Sequence, residues 1–351
     1  LLSGGDFLVP GGSKMRMIHR SLVLAALLLS AVNAAPAAAG AACGPLKIIA
    51  SLDVKPDRSG RPMVTAMISD KPVALLVDTG GGLSSLTKRT VQELNLQTME
   101  SRIRMTNVAG RSENLEVRLP FIALGGLRVE GPYFMVLPGD EIVGPDDQTF
   151  GGLLGAEMLR NVDFDFDFAA NKINLISQDH CAGNVVYWPA AAVAVVPFTF
   201  NAAGQITFRM ELDGRRVNAL LDTGASITIL NLDIARRTFR VDVNADDVEK
   251  VGEVGRSQSG VYRKRFKTIS FEGVSISNPV IMMFPDLIGG GSLGQQRTGS
   301  IIRDARGGLP DVILGMNVLS EMHVYIASKE RKLYITAADP QAAQPPAAAP
   351  Q

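Results

Sequence analysis

Over most of residues 43–336 the chain runs in short apolar stretches with polar residues at alternate positions, punctuated by Gly, Pro, Asn and Asp. That period of two predicts β-strands with one face in a core, and the stretches compatible with helix are few and short. The clearest alternation is Asp163-Phe164-Asp165-Phe166-Asp167-Phe168, which predicts three Phe facing a core and three Asp facing solvent. Two polar turns, Ser69-Asp70-Lys71 and Asp213-Gly214-Arg215, each lead into an apolar run as a β-hairpin does. Helix-compatible stretches fall at 88–94 and 232–238, helical turns at 156–161 and 316–321, and further strands at 171–176 and 331–336. The pattern predicts an all-β chain folded as two barrel-like lobes.

The two halves repeat each other. A shift of 144 residues lays Val73–Asp78 on Val217–Asp222 and continues through Leu83/Ile227, Ser84/Thr228 and Leu86/Leu230. A second match, at a shift of 160, lays Leu153-Leu154-Gly155 on Ile313-Leu314-Gly315 and carries Leu159 to Leu319 and Lys172 to Lys332. The difference between the shifts marks a net insertion in the second half, placed in the Gly-rich stretch 288–308, which reads as a long mobile loop. The expected organisation is a first lobe over 43–181 and a second over 198–336. Residues 182–197, with Trp188-Pro189, form a linker that becomes a strand at the lobe interface, and the Ala/Pro/Gln tail 337–351 is disordered.

Each repeated apolar run ends in the same triplet, Asp78-Thr79-Gly80 and Asp222-Thr223-Gly224. One such triplet is usually a turn, because Asp and Gly favour turns for backbone reasons. With 22 Asp, 15 Thr and 35 Gly in 351 residues, chance supplies roughly 0.1 triplets, so two in matched settings are a signal.

With an apolar-apolar-Gly element downstream of each triplet, residues 60–336 resemble the retropepsin-like aspartic peptidases, in particular the bacterial secreted two-lobe form. The resemblance implies two double-psi β-barrel lobes related by a pseudo-two-fold axis, with the active site at the lobe interface. Retroviral members form that pair by homodimerisation. Here one chain carries both lobes, which implies a monomer, pairing between chains being the alternative.

By the same resemblance Asp78 and Asp222 are the catalytic dyad, sharing one proton because two such close carboxylates do not both ionise. One acts as base toward a water that attacks the scissile carbonyl, while the protonated partner polarises that carbonyl. Thr79 and Thr223 hold the two loops together by bonding the opposite backbone. Gly80 and Gly224 let the backbone turn tightly beside the carboxylates, and Gly155 and Gly315 let a strand pass close under each Asp loop. Two departures stand out. Gly81 and Ala225 occupy positions where pepsin-like enzymes carry a hydroxyl that bonds the carboxylate, so the dyad is expected to titrate at higher pH than theirs, with a mildly acidic to neutral optimum. The run Gly80-Gly81-Gly82 is expected to make the first loop more flexible than the second. Flaps over the cleft are sought at 106–111, with Val108 and Gly110, and at 251–260, with Val254 and Gly255.

Composition narrows the partners. With 35 basic and 35 acidic residues, no net charge and no basic block, no nucleic-acid partner is expected, since such binding depends on phosphate neutralisation. A peptide or protein substrate is. Arg16, His19 and Arg20 precede the apolar run 22–32 and the small residues 33–37, which reads as a secretory signal peptide cleaved after Ala34 and an address in the periplasm or outside the cell. That run is short for a membrane span, so no stable anchor is expected after cleavage, an uncleaved anchor being the lesser reading. Residues 1–14, ahead of any Met, read as an over-called start.

The two cysteines, Cys43 and Cys181, bracket the first lobe. In an oxidising compartment a disulfide between them would contribute roughly 5 kcal/mol on the chain-entropy model; free thiols or lipidation of Cys43 are the alternatives. The acidic run 163–168 reads as a core alternation rather than a calcium site, His180 and His323 as structural, Trp188 as interface packing, and no metal or cofactor is expected. Against the aspartic endopeptidase stands one other class of function, a catalytically silent lobe pair that binds peptides or proteins.

Overall fold

The computed structural model describes residues 43–106, 111–139, 150–254, 258–285 and 310–338. The stretch expected to be a signal peptide, Val108, Gly110 and Gly255 of the expected flaps, the expected insertion at 288–308 and the tail beyond 338 lie outside the described residues.

The two lobes share one strand order. In the first it is Thr98–Thr106, Ser112–Arg118, Tyr133–Val136, Ser85–Leu86, Phe150–Leu154, Lys71–Val77, Pro62–Ile68, Phe121–Leu124, Leu127–Glu130. In the second it is Val248–Val254, Ser259–Arg265, Val280–Phe284, Ile229–Asn231, Val312–Leu314, Arg215–Leu221, Ile206–Leu212, Thr268–Phe271, Val274–Ser277. Val254, named as a flap residue, ends the second lobe's first strand in this order and is exposed.

Local chemistry explains the elements that carry the site. The hairpin into each Asp loop turns through residues in the left-handed region, Ser69 and Asp70 at φ 50° and 63°, and Asp213 and Gly214 at φ 47° and 72°. Two such residues are what a two-residue hairpin matched to strand twist requires. Helix Lys88–Glu93 is capped by Thr87, whose side chain accepts from the N–H of Thr90 at 3.1 Å. Its counterpart Leu232–Phe239 is capped by Asn231, which accepts from Asp233 and Ile234. Each cap satisfies N–H groups the first helical turn leaves unpaired.

Between the lobes lie six strands of one sheet, in the order Ile48–Asp53, Lys172–Ile176, Asp163–Asp167, Met322–Ala327, Lys332–Ala337, Ala194–Phe200. The lobes meet where Asp163–Asp167 pairs antiparallel with Met322–Ala327, Asp165 opposite Tyr325. The tail was expected to begin at 337, but Ala337 still pairs with Met322 as the end of the last strand. Cys43 and Cys181 form a disulfide, with Cα atoms 4.8 Å apart, that ties the start of this sheet to the segment leaving the first lobe.

One expectation fails here. Asp163 and Asp165 do not face solvent; both are fully buried, alongside Phe164 and Phe166. Their strand is interior to the sheet, and its Asp face is covered by the linker and by the second lobe. Asp163 accepts from Tyr325 at 3.1 Å and from the N–H of Ser328 at 2.9 Å, and pairs with His180 at 2.8 Å. Asp165 pairs with His323 at 2.5 Å and accepts from Asn174 at 3.0 Å and from Tyr187. Trp188 stacks on His323 with centroids 3.9 Å apart and donates to Thr336. Buried carboxylates persist where such partners meet every oxygen, so alternation alone misread this strand.

Candidate active site

Each Asp loop hangs from the end of a buried strand and is fixed from below by the apolar-apolar-Gly strand. Lys71–Val77 runs parallel to Phe150–Leu154, and the N–H of Asp78 donates to the carbonyl of Leu154 at 2.8 Å. Arg215–Leu221 runs parallel to Val312–Leu314, and the N–H of Asp222 donates to the carbonyl of Leu314 at 3.1 Å. Beyond each strand the chain returns to the same loop: Ala156 donates to the carbonyl of Gly81 at 2.7 Å, and Met316 to that of Ala225 at 2.8 Å. A Cβ at Gly155 would lie 2.5 Å from the carbonyl carbon of Leu83, and one at Gly315 would lie 2.6 Å from that of Ile227. No side chain fits between such backbones, so glycine is required at both crossings.

The two loops meet face to face. A Cβ on Gly80 would fall on the carboxyl of Asp222, and a Cβ on Gly224 would fall on the carboxyl of Asp78. Each carboxyl therefore rests on the glycine of the opposite loop, while that glycine's N–H donates to the other carboxyl, so the two side chains lie side by side. Beneath them the threonines interlock. Thr79 Oγ1 donates to the carbonyl of Leu221 at 2.8 Å, and Thr223 Oγ1 donates to that of Val77 at 2.5 Å.

Each aspartate is oriented by its own loop. Asp78 Oδ1 accepts from the N–H of Gly80 at 2.9 Å and of Gly81 at 2.8 Å, and Asp222 Oδ1 from Gly224 at 2.9 Å and Ala225 at 3.0 Å. The triple-glycine run, expected to loosen the first loop, thus adopts the same hydrogen-bond pattern as the second. Gln205 of the second lobe also donates to the carbonyl of Gly80. Asp78 and Asp222 are half-buried as residues, and the surrounding protein strips hydration from their carboxyls. Loss of hydration raises Asp78, opposed by the two loop N–H groups. Asp222 is pushed up to about 8, first by burial and then by the charge of Asp78. One proton held between two carboxyls is the arrangement of an acid and a base side by side.

The surrounding shell was not singled out in the sequence. Ser84 Oγ accepts from the N–H of Gly155 at 2.9 Å, and Thr228 Oγ1 from that of Gly315 at 3.0 Å. Glu157 and Asn317 hold the N–H groups of Ser84 and Thr228 at 2.7 and 2.6 Å. The readable signal was the repeat itself, since Ser84 and Thr228 already lay on each other at the shift of 144. A surface cavity lined by Asp246, Asp247, Glu249, Arg263, Lys264 and Arg265 is separate from the dyad, and its charges pair among themselves, as in Arg263–Glu249 and Lys264–Asp247.

A family model described as aspartyl protease matches residues 64–158 and 208–318, one stretch in each lobe and together more than half the chain. The chain belongs to the aspartyl protease family. It is a retropepsin-like member in tandem form, since each lobe supplies its own match and its own Asp loop. Among solved structures, basic 7S globulin from soybean aligns with this family member at a TM-score of 0.48 and 12% identity, over 85% of this chain and 96% of that one. No curated protein sequence matches it.

Proposed function

We propose that this chain is an aspartic endopeptidase, exported to the periplasm or beyond, that hydrolyses peptide bonds in extended chains with water activated between Asp78 and Asp222. A single polypeptide supplies both aspartates, and no cofactor takes part. One observation carries the reading: each carboxyl rests on the glycine of the opposite loop, with interlocked threonines beneath. That arrangement favours one shared proton, so a carboxylate and a carboxylic acid face the same scissile bond. The segment over residues 16–37 supports export.

The test is cleavage of an unbiased peptide library by the protein at several pH values, with and without a statine-type inhibitor. Asp78→Asn and Asp222→Asn, each made separately, are expected to lower cleavage by roughly 10²–10⁴-fold with an unchanged circular dichroism spectrum. Unchanged cleavage in both variants removes the dyad from the mechanism. A folded wild-type protein that binds peptides and cleaves none is the lobe-pair binding module instead. Sedimentation of the active material is expected to give a monomer.

A further inference from the structure

The first Asp loop contains a backbone joint that the second restrains by itself. Gly80 and Gly81 share one planar peptide group, and its N–H, that of Gly81, donates to Asp78 Oδ1 at 2.8 Å. With no Cβ on either side, such a plane turns over easily. Space nevertheless demands both glycines: a Cβ on Gly80 would fall on the Asp222 carboxyl, and one on Gly81 would lie 2.9 Å from Asp78 Oδ2 and 3.3 Å from Leu153. The equivalent peptide of the second loop runs from Gly224 to Ala225. Its N–H donates to Asp222 Oδ1 at 3.0 Å, and the Cβ of Ala225 restricts its rotation.

The second lobe supplies the restraint that the first loop lacks. The carbonyl of Gly80, at the other end of the same plane, accepts from Gln205 Nε2. Gln205 is itself aimed by a clamp: Asn201 Oδ1 accepts from the N–H groups of Ala203 and Gln205 at 3.0 Å each, and Asn201 Nδ2 donates to Gln205 Oε1 at 2.7 Å. The turn carrying this clamp is seated on the first lobe. A Cβ on Gly82 would lie 3.2 Å from the Ala203 carbonyl oxygen, and one on Gly204 would lie 3.0 Å from the Arg160 guanidinium.

The first lobe repeats the turn at the shift of 144, with a different outcome. Asp57 Oδ1 accepts from the N–H groups of Ser59 and Arg61 at 2.9 Å each. Arg61 stands where Gln205 does, and its guanidinium pairs with Asp57 Oδ2 at 2.7 and 2.6 Å, inside its own lobe.

We infer that Gln205 is a positioning residue for the reaction: from the second lobe it locks the Gly80–Gly81 peptide in the orientation that aims the Gly81 N–H at Asp78. The inference rests on the peptidase reading above. A donor on the carbonyl also polarises the peptide and strengthens the bond made by its N–H. That N–H favours the ionised form of Asp78, so the lock keeps a carboxylate available as the base. The glycines that close packing requires are thus steadied from across the lobe boundary.

Gln205→Met removes the donor at similar side-chain length. Gln205→Glu keeps the bond from Asn201 and donates to Gly80 only while its carboxyl is protonated. Three readouts on the full chain decide: amide hydrogen exchange at Gly81, the ¹³C titration of the Asp78 and Asp222 carboxyls, and the pH profile of kcat/KM. In Gln205→Met the Gly81 amide is expected to lose protection. The lower apparent pKa of the carboxyl pair and the acid limb of kcat/KM should move up by on the order of one pH unit, read as about tenfold lower kcat/KM on that limb. In Gln205→Glu the rate relative to wild type should recover at acid pH and decline as the new carboxyl ionises. Unchanged Gly81 protection in Gln205→Met, or a loss of kcat/KM equal at every pH in both variants, overturns the inference; the second result marks a turn that merely holds the lobes together. If the wild type cleaves nothing, the peptidase reading fails by itself, and Gly81 exchange with the carboxyl titration still decides whether Gln205 locks the loop.

Discussion

The backbone N–H of Thr79 donates to Thr223 Oγ1 at 3.1 Å, and the N–H of Thr223 donates to Thr79 Oγ1 at 3.0 Å. Each hydroxyl then donates onward to a carbonyl of the opposite lobe, so each loop is completed by the other. Thr79 and Thr223 are each only 1% exposed, and water does not replace a lost partner there. Neither loop has its full hydrogen bonding alone.

Removal of one hydroxyl is therefore costly. Thr79→Ala leaves the N–H of Thr223 and the carbonyl of Leu221 unpaired, and the expected loss is about 2–4 kcal/mol. Thr79→Ser keeps the hydroxyl and is expected to stay within about 1 kcal/mol of the wild type. Because the two threonines form one network, Thr79→Ala/Thr223→Ala should cost less than the sum of the single changes. Denaturant titration measures all four; strict additivity would contradict the interlock.

The dyad makes stability depend on pH with a definite sign. Asp222 ionises near 3.8 when unfolded and is pushed up to about 8 in the fold, so between these values the folded state holds a proton the unfolded chain has lost. That contribution is complete below about 3.8 and disappears as pH rises through about 8, with a slope of up to about 1.4 kcal/mol per pH unit. Asp222→Asn has no such proton. The wild-type-minus-variant difference in unfolding free energy should decline from pH 4 to 8 and then level off, and a flat difference would contradict this. The rate should likewise fall as pH passes about 8, where the shared proton leaves. A rate maximum below about pH 3 is incompatible with so strongly held a proton.

Asp165 and His323 pair at 2.5 Å across the seam between the lobes, with the aspartate fully buried and the imidazole stacked under Trp188. Removing one partner strands the other, so Asp165→Leu alone is expected to cost about 3–5 kcal/mol. The joint variant Asp165→Leu/His323→Leu, which leaves neither group stranded, should recover part of that loss. Fluorescence of Trp188, the chain's single tryptophan, follows both unfolding transitions at this seam. A joint variant less stable than Asp165→Leu would show that the imidazole does more than neutralise its partner.

Much of this was legible in the chain. Short-range regularities carried it: alternation marked the strands, Ser69-Asp70 and Asp213-Gly214 marked the hairpins, and the shift of 144 matched the Asp loops. What escaped depends on what covers a surface. Asp163 and Asp165 read as solvent-facing because a strand's own pattern shows two faces without saying what packs on either. The linker residues Tyr187 and Trp188 and the second-lobe residues His323 and Tyr325 close that face, all distant in sequence. The clamp at Asp57 and Arg61 went unremarked although its counterpart stood 144 residues on, because Asn201 and Gln205 share its hydrogen bonding and not its residue types.

The linear order of residues determined that two similar strand-and-loop units exist and that each carries an acid with a glycine two residues on. Turn chemistry and apolar periodicity act over a few neighbours, so a one-dimensional record holds them. Only the three-dimensional assembly decided that the two acids face each other, since proximity, lost hydration and the interlock of Thr79 with Thr223 are properties of two surfaces brought together.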